Sequence, residues 1–438
     1  MLVTISSWLI IAVMLVVAYR SIYNTGAAFA LVLCMYASEQ VLLQGKTGLP
    51  IAGAAINFFV GGIVLLSVGN AILQNRFADF QLPQRIFYAY GILVIAALSF
   101  LWTPDQREAG RILKEAIPYL AIIVFAAPFC LRSNSNCECF LKWFIILGAA
   151  VCIGLAGSSV IHRSIHIEVG AGRLQRMNPL AAGSFAGYTL ICCLYCLYRY
   201  PYERFRTIGL LLITFLSVYA LAQSGSRGQI VAFGLTAMVW VPILAQIRGR
   251  GSYVTAYMLL VALGVAGYLF LEKMGLLFRF SSEKVAVGVN HRLGPATVML
   301  ERFENSDIVT WIFGLGTSAS YRYIGGYPHN VPIEVLTEEG LLGAIVYATF
   351  VVSTILVLWQ KSRDPNDPLR REACLFGALF FFEFLLSLKQ GSLIGNQQFF
   401  CFGIASLIYF SNALGSRASL PFQPIAKPVP LRTITSRQ

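Results

Sequence analysis

Residues able to move protons and hold anions gather in one stretch of this chain. From Asn290 the sequence reads Asn-His-Arg-Leu-Gly-Pro-Ala-Thr-Val-Met-Leu-Glu-Arg-Phe, later Ile-Phe-Gly-Leu-Gly-Thr-Ser, and from Tyr327 Tyr-Pro-His-Asn-Val-Pro-Ile-Glu-Val-Leu-Thr-Glu-Glu-Gly-Leu-Leu-Gly. Arg292, His329, Asn330 and Glu338 all lie in it. A guanidinium stays charged in a low-dielectric setting and offers paired donors to anionic oxygens. An imidazole is the side chain whose ordinary pKa suits a general base near neutrality. Two further groups of arginines lie upstream. Arg227 sits in Ser224-Gly225-Ser226-Arg227-Gly228, and Arg173 and Arg176 precede Asn178-Pro179.

Elements must position these residues. After Arg292, apolar residues fall at Leu293, Ala296, Met299, Leu300 and Phe303, a helical spacing. It predicts a short amphipathic helix on or near a membrane, with Arg292 at its start. Gly314 and Gly316 bracket a turn. Pro328 and Pro332 flank His329 and Asn330, and the next helix is expected to begin near Val331 and to carry Glu338. Gly340 and Gly343 would let that helix pack closely. Asn178 before Pro179 also reads as an ordinary helix start.

Composition says what kind of chain holds these elements. Of 438 residues, 57% are hydrophobic and 12% charged, and the mean hydropathy is +0.69. A soluble domain carries about a quarter of its residues as charges. At ~20 residues per span, the apolar content suffices for roughly a dozen membrane helices. A soluble enzyme, a disordered chain and a nucleic-acid-binding domain are excluded. The net charge of +13 does not reopen the last of these, because the cations are scattered between apolar runs. Continuous apolar runs also exclude a membrane β-barrel.

The expected fold is all-α: a polytopic transmembrane bundle of about 12–13 spans with one long periplasmic loop. The candidate spans are 2–19, 26–44, 51–72, 85–102, 115–131, 143–160, 179–198, 208–222, 229–247, 253–271, 334–359, 373–388 and 397–414. Span 208–222 is short and would need its flanks to cross. Residues 1–271 thus hold ten spans, 272–333 the long loop, 334–414 the C-terminal spans, and 415–438 a Pro- and Arg-rich cytoplasmic tail. Residues 2–19 lack a basic flank and a cleavage site, so they read as the first span rather than a signal peptide. The basic stretches at 199–206, 248–250, 361–372 and 417–437 mark the cytoplasmic side. Alternation then places 161–178, 225–227 and 272–333 outside. Thirteen spans leave the N-terminus outside; twelve leave both ends inside. Lys273, Arg279, Lys284, Arg292, Arg302 and Arg322 load the outer segment with more cations than orientation requires, which points to an anionic ligand there.

The ordered set of Arg292, an amphipathic helix, Gly-x-Gly and then His329-Asn330 followed by Glu338-x-Gly340 resembles the O-antigen ligase/polymerase family of polytopic membrane glycosyltransferases. Ser226-Arg227-Gly228 is similar to the family's Ser-Arg-Gly element. Arg173 to Ala182 is similar to its Arg…Asn-Pro-Asn element, except that Leu180 stands where the last Asn is expected. The resemblance covers about residues 170–350. It implies transfer of a glycan from an undecaprenyl-diphosphate carrier to a hydroxyl of a glycan or lipid A-core acceptor on the periplasmic face of the bacterial inner membrane. Arg227 and Arg292 would hold the leaving diphosphate, with Arg173 or Arg176 as a further contact. His329 would be the base. Glu338 would orient His329 or hold the start of the helix, and Asn330 would contact substrate. No cofactor, no metal and no nucleic acid are implied; the bilayer is the remaining partner.

Ligase and repeat-unit polymerase share this donor and site. A transporter or flippase for an anionic lipid-linked substrate is the alternative of another class, but the chain has no internal repeat of the kind such folds use. His162 and His166 are spaced to share a helix face, without the Glu of a zinc motif. Most of the ten cysteines lie in or beside apolar runs, Cys192, Cys193 and Cys196 as helix packing; only Cys137 and Cys139 are expected in a polar loop, reduced by default. Glu383, within Phe-Phe-Phe-Glu-Phe-Leu-Leu, is an intramembrane carboxylate and so a functional candidate. Glu39 lies nearer the end of its span.

Overall fold

The computed structural model describes residues 2–44, 53–77, 80–162, 179–200, 203–224, 226–247, 250–273 and 282–413. Among them there is no strand, and the protein is an all-α polytopic membrane bundle. Its helices are α1 (Leu2–Ser21), α2 (Thr25–Gln44), α3 (Gly53–Leu73), α4 (Ile86–Ser99), α5 (Gln106–Tyr119), α6 (Asn134–His162), α7 (Pro179–Arg199), α8 (Arg204–Gln223), α9 (Arg227–Leu244), α10 (Arg250–Lys273), α11 (Ser282–Glu304), α12 (Ile308–Phe313), α13 (Ala319–Ile324), α14 (Val331–Glu338), α15 (Gly340–Arg363), α16 (Arg370–Ser387) and α17 (Gln397–Asn412). The segments expected to cross fall largely on these helices, with 334–359 shared between α14 and α15. Among the described residues, nine helices are long and apolar enough to span a bilayer. One of these is α5 with its continuation: after Pro118 removes a backbone donor, the helix widens to a π turn over Leu120–Ala126 and tightens through Ala127–Cys130. The segment expected to be short is not, since α8 runs for 20 residues.

The layers follow from which helices are apolar all round. Over their spanning windows α2 and α7 are 78% buried, while α8 is 28% buried. A helix apolar on every face belongs in the interior or against lipid, and tertiary packing decides which. So α2 lies between α1, α3 and α6, and α17 and α16 complete the centre. Leu211, Leu212 and Phe215 of α8 and Leu65 and Leu66 of α3 face outward as part of the lipid-facing surface. Phe350, Phe380, Phe399 and Phe400 stack in the interior, with Phe380 and Phe399 centroids 4.9 Å apart.

Hydrogen bonds across the layers show which ends lie together. Ser7 Oγ donates to the Val41 carbonyl at 3.3 Å, so α1 starts beside the end of α2. Asn70 Nδ2 donates to the Ile22 carbonyl at 2.8 Å, so α1 and α3 finish together. Tyr36 of α2 reaches Gln397 at the start of α17 (3.2 Å). Asn412, at the end of α17, caps the Gln81 backbone at 2.7 Å. The start of α1 and the end of α17 are therefore at opposite ends of the bundle, as an odd number of crossings requires. The end with Arg199, Lys361, Arg363 and Arg370 is the basic end. There Arg199 joins Glu372 and Glu138, and Lys361 pairs with Asp367 at 3.1 Å.

Two sequence expectations need correction. The expected long loop at 272–333 holds α11, α12 and α13 in its described part, 282–333. The amphipathic helix begins ten residues before Arg292, so Arg292 lies in the middle of α11 rather than at its start. Its buried stripe, Ala296, Met299 and Phe303, packs on α13 and α14. Cys137 and Cys139 are also not in a loop. Ser133 and Asn136 bond to each other and start α6 early, which buries Cys137 and half-buries Cys139.

The arrangement predicts a labelling pattern. In a background stripped of native cysteines, Asn305→Cys should react with an impermeant thiol reagent on intact cells. Asn366→Cys, in the α15–α16 connection, should react only after lysis. The reverse pattern would invert the map.

Candidate functional site

The segment 314–340 is built by two glycines at close quarters. Gly314 has φ +81° and Gly340 φ +69°, conformations costly for other residues. A Cβ on Gly314 would lie 2.1 Å from the Glu338 carbonyl oxygen, and one on Gly340 2.4 Å from that of Ile312. Because Gly340 takes this conformation, the helix expected from 334 onward is divided: α14 ends at Glu338 and the span begins at Gly340. The Leu315 and Gly316 amides donate to the Thr337 and Glu338 carbonyls, each at 2.9 Å.

Glu338, 2% exposed, is held by two backbone amides. Its Oε2 accepts from the Ser318 amide at 2.5 Å and its Oε1 from the Ser320 amide at 2.9 Å. It holds the start of α13 against the end of α14. Burial pushes its carboxyl up to about 7, against the lowering effect of these donors. Burial, together with the neighbouring Glu338 carboxylate, takes Glu339 up to about 8. Glu334 is raised by burial and by both neighbours; its Oε1 accepts from the Leu393 amide at 3.0 Å.

His329 has φ +59°, in the left-handed region that few residues other than glycine adopt. Its ring meets Tyr327 edge to face, centroids 4.5 Å apart. Asn330 follows as the N-cap of α14, accepting from the Ile333 amide at 3.1 Å. Its amide nitrogen donates to the Leu388 carbonyl at 2.9 Å. Both ends of its side chain bond to the backbone, which fixes the chain next to His329.

That bond ties His329 to the connection after α16, and the same connection meets Arg227. Arg227 is the first residue of α9, half-buried, with Ser226 as N-cap. Two residues on, Gln229 is fully buried; it accepts from Lys389 Nζ at 2.9 Å and donates to Gln390 at 2.9 Å. Gly228 makes room for this: a Cβ there would lie 2.1 Å from Lys389 Cδ and Cε. His329 and Arg227 thus reach one end of the bundle through adjacent residues, Leu388 and Lys389. The helix N-terminus at Arg227 adds partial positive charge to the two cations.

Beside this junction lies a cavity of about 420 Å³ between α2, α7 and α17. Tyr327 and Gln390 form its rim towards His329 and Lys389, and Tyr36, Gln40, Asn396 and Glu383 line it. Glu383 accepts a hydrogen bond from Tyr188. Glu39, also lining it, accepts from Asn57 Nδ2 at 3.4 Å.

The other expected residues are placed less closely. Arg292 is on α11, which packs on α14, with its side chain outside the description. Arg173, Arg176 and His166 lie outside the described residues, while His162 ends α6. Lys389, Gln229 and Tyr327 were missed by sequence reasoning. Lys389 had a legible signal, a lone cation directly after the apolar run 373–388. Gln229 and Tyr327 had none, because only packing brings them to the site. Compared with known proteins, the chain matches no family model and no curated protein sequence.

Proposed function

We propose that the protein is a glycosyltransferase of the O-antigen ligase type, moving a glycan from an undecaprenyl-diphosphate carrier to an acceptor hydroxyl at the periplasmic face of a bacterial inner membrane. One observation carries this reading: the segments bearing His329 and Arg227 converge on Leu388–Lys389 at one end of the bundle, beside a cavity of about 420 Å³. His329 takes the proton of the acceptor hydroxyl as its oxygen bonds to the anomeric carbon. The bond from that carbon to the diphosphate breaks, and the electron pair leaves on the diphosphate. Arg227, Arg292 and Lys389 stabilise the charge that develops there, with Arg173 or Arg176 as a further contact. The tyrosine, amide and carboxyl groups of the cavity suit the hydroxyl-rich face of a sugar. Glu338 and Asn330 act as positioning residues.

Deleting the gene and examining surface glycan and lipid-linked intermediates tests the reading. A ligase leaves lipopolysaccharide without long chains while lipid-linked polymer accumulates. A repeat-unit polymerase of the same family leaves single-repeat products. Lipid-linked units retained on the cytoplasmic face would favour a flippase instead, a reading that Glu39 and Glu383 in the cavity support. Unchanged glycan in every fraction would defeat the proposal. Because leaving-group charge is assigned to protein cations, purified protein is expected to turn over in EDTA. Loss of activity restored by a divalent ion would move that role to a metal.

A further inference from the structure

At the basic end, a second, half-open cavity of about 170 Å³ lies between the end of α9, the start of α10 and the α15–α16 connection. Gln246, Tyr253, Arg363 and Arg370 line it. Arg370 is 6% exposed. Its Nη2 donates to the Ile243 carbonyl, while its Nη1 has no hydrogen-bond acceptor among the described residues. A buried guanidinium donor without an acceptor is costly, and native folds rarely leave one. The nearby carboxylates are committed elsewhere: Asp367 to Lys361, and Glu372 to Arg199. Arg363, exposed, stands with its guanidinium 5.2 Å from the Trp359 ring centroid. Gln246 turns the chain at the cavity with φ +53°.

The cavity is at the ends of two spanning helices, α9 and α15, which is the depth of lipid headgroups. Its volume of about 170 Å³ accommodates a phosphate group. We propose that Arg370 and Arg363, with Gln246 and Tyr253, bind a phosphate group at this end of the bundle, supplied by an anionic phospholipid or by free phosphate. The bound phosphate rests against Arg370 where that residue lines the cavity. It ties the ends of α9 and α16, whose opposite ends carry Arg227 and lead into Lys389.

The test uses the full chain purified in phosphate-free detergent, with melting temperature and native mass spectrometry as readouts. Phosphatidylglycerol is expected to raise the melting temperature and to remain bound, and phosphatidylcholine to do neither. A rise with inorganic phosphate equal to that with phosphatidylglycerol would identify the free ion as the source. Arg370→Gln also removes the bond to Ile243, so Arg363→Gln decides. It should weaken phosphatidylglycerol binding by about tenfold, while Arg204→Gln, an exposed arginine away from the cavity, binds as wild type. The proposal is overturned if phosphatidylglycerol and phosphatidylcholine act alike and phosphate has no effect, or if Arg363→Gln and Arg370→Gln bind as tightly as wild type.

Discussion

His329→Ala is expected to lower glycan transfer by about 10²–10⁴-fold, the contribution of a positioned general base. Donor binding should change little, because a base acts mainly in the transition state. The backbone of His329 is held from both sides, by the left-handed turn at φ +59° and by Asn330 bonded to Leu388. Removing the imidazole should therefore leave the fold intact. Arg227 should behave differently. Arg227→Lys should fail nearly as badly as Arg227→Ala, at roughly 10²–10³-fold in kcat, because an ammonium lacks the planar paired donors. Transfer would be measured in a deletion strain complemented at matched expression. Near-wild-type transfer by both His329→Ala and Arg227→Ala would show that these residues serve the membrane interface and not the reaction.

Glu338→Ala is expected to lose stability rather than chemistry. The substitution strands the buried Ser318 and Ser320 amides, for which Glu338 is the acceptor shown among the described residues. Each unsatisfied buried donor costs about 1–3 kcal/mol, so the loss is roughly 2–6 kcal/mol. Glu338→Gln keeps one acceptor oxygen and should lose about half as much. A related pH effect follows from the same burial. Glu338 and Glu339 titrate at about 7 and about 8 in the fold, against ~4.3 in an unfolded chain. Between those values the folded protein binds more protons than the unfolded chain, so stability falls as pH rises through that window. Thermal melts of the purified protein between about pH 5 and pH 8.5 should show this decline, and Glu338→Gln should flatten part of it. A melting temperature unmoved by Glu338→Ala, or one that climbs with pH, would refute the account.

Much of the molecule was legible in its sequence because a bilayer imposes a local rule. Every backbone group in lipid must be satisfied within its own helix, so long apolar runs report helices directly. The expected spans therefore fall largely on α1 to α10 and α15 to α17, and the start of α14 follows from Asn330 and Pro332, whose capping chemistry is local. Outside the apolar runs, that constraint is gone. The segment 272–333 was expected as a loop carrying one short amphipathic helix from Arg292; α11 instead starts at Ser282, where no long apolar run marks a helix start. The role of Glu338 was likewise undetermined, since its partners, Ser318 and Ser320, arrive through a turn set by Gly314 against Gly340. Motif order marked His329 and Arg227 as candidates, but neither hydropathy nor spacing says which helix ends are neighbours. Tertiary packing decided that, by seating Lys389 on Gly228 and Leu388 on Asn330, because a contact between residues far apart in the chain depends on how whole helices fit and leaves no local pattern to read.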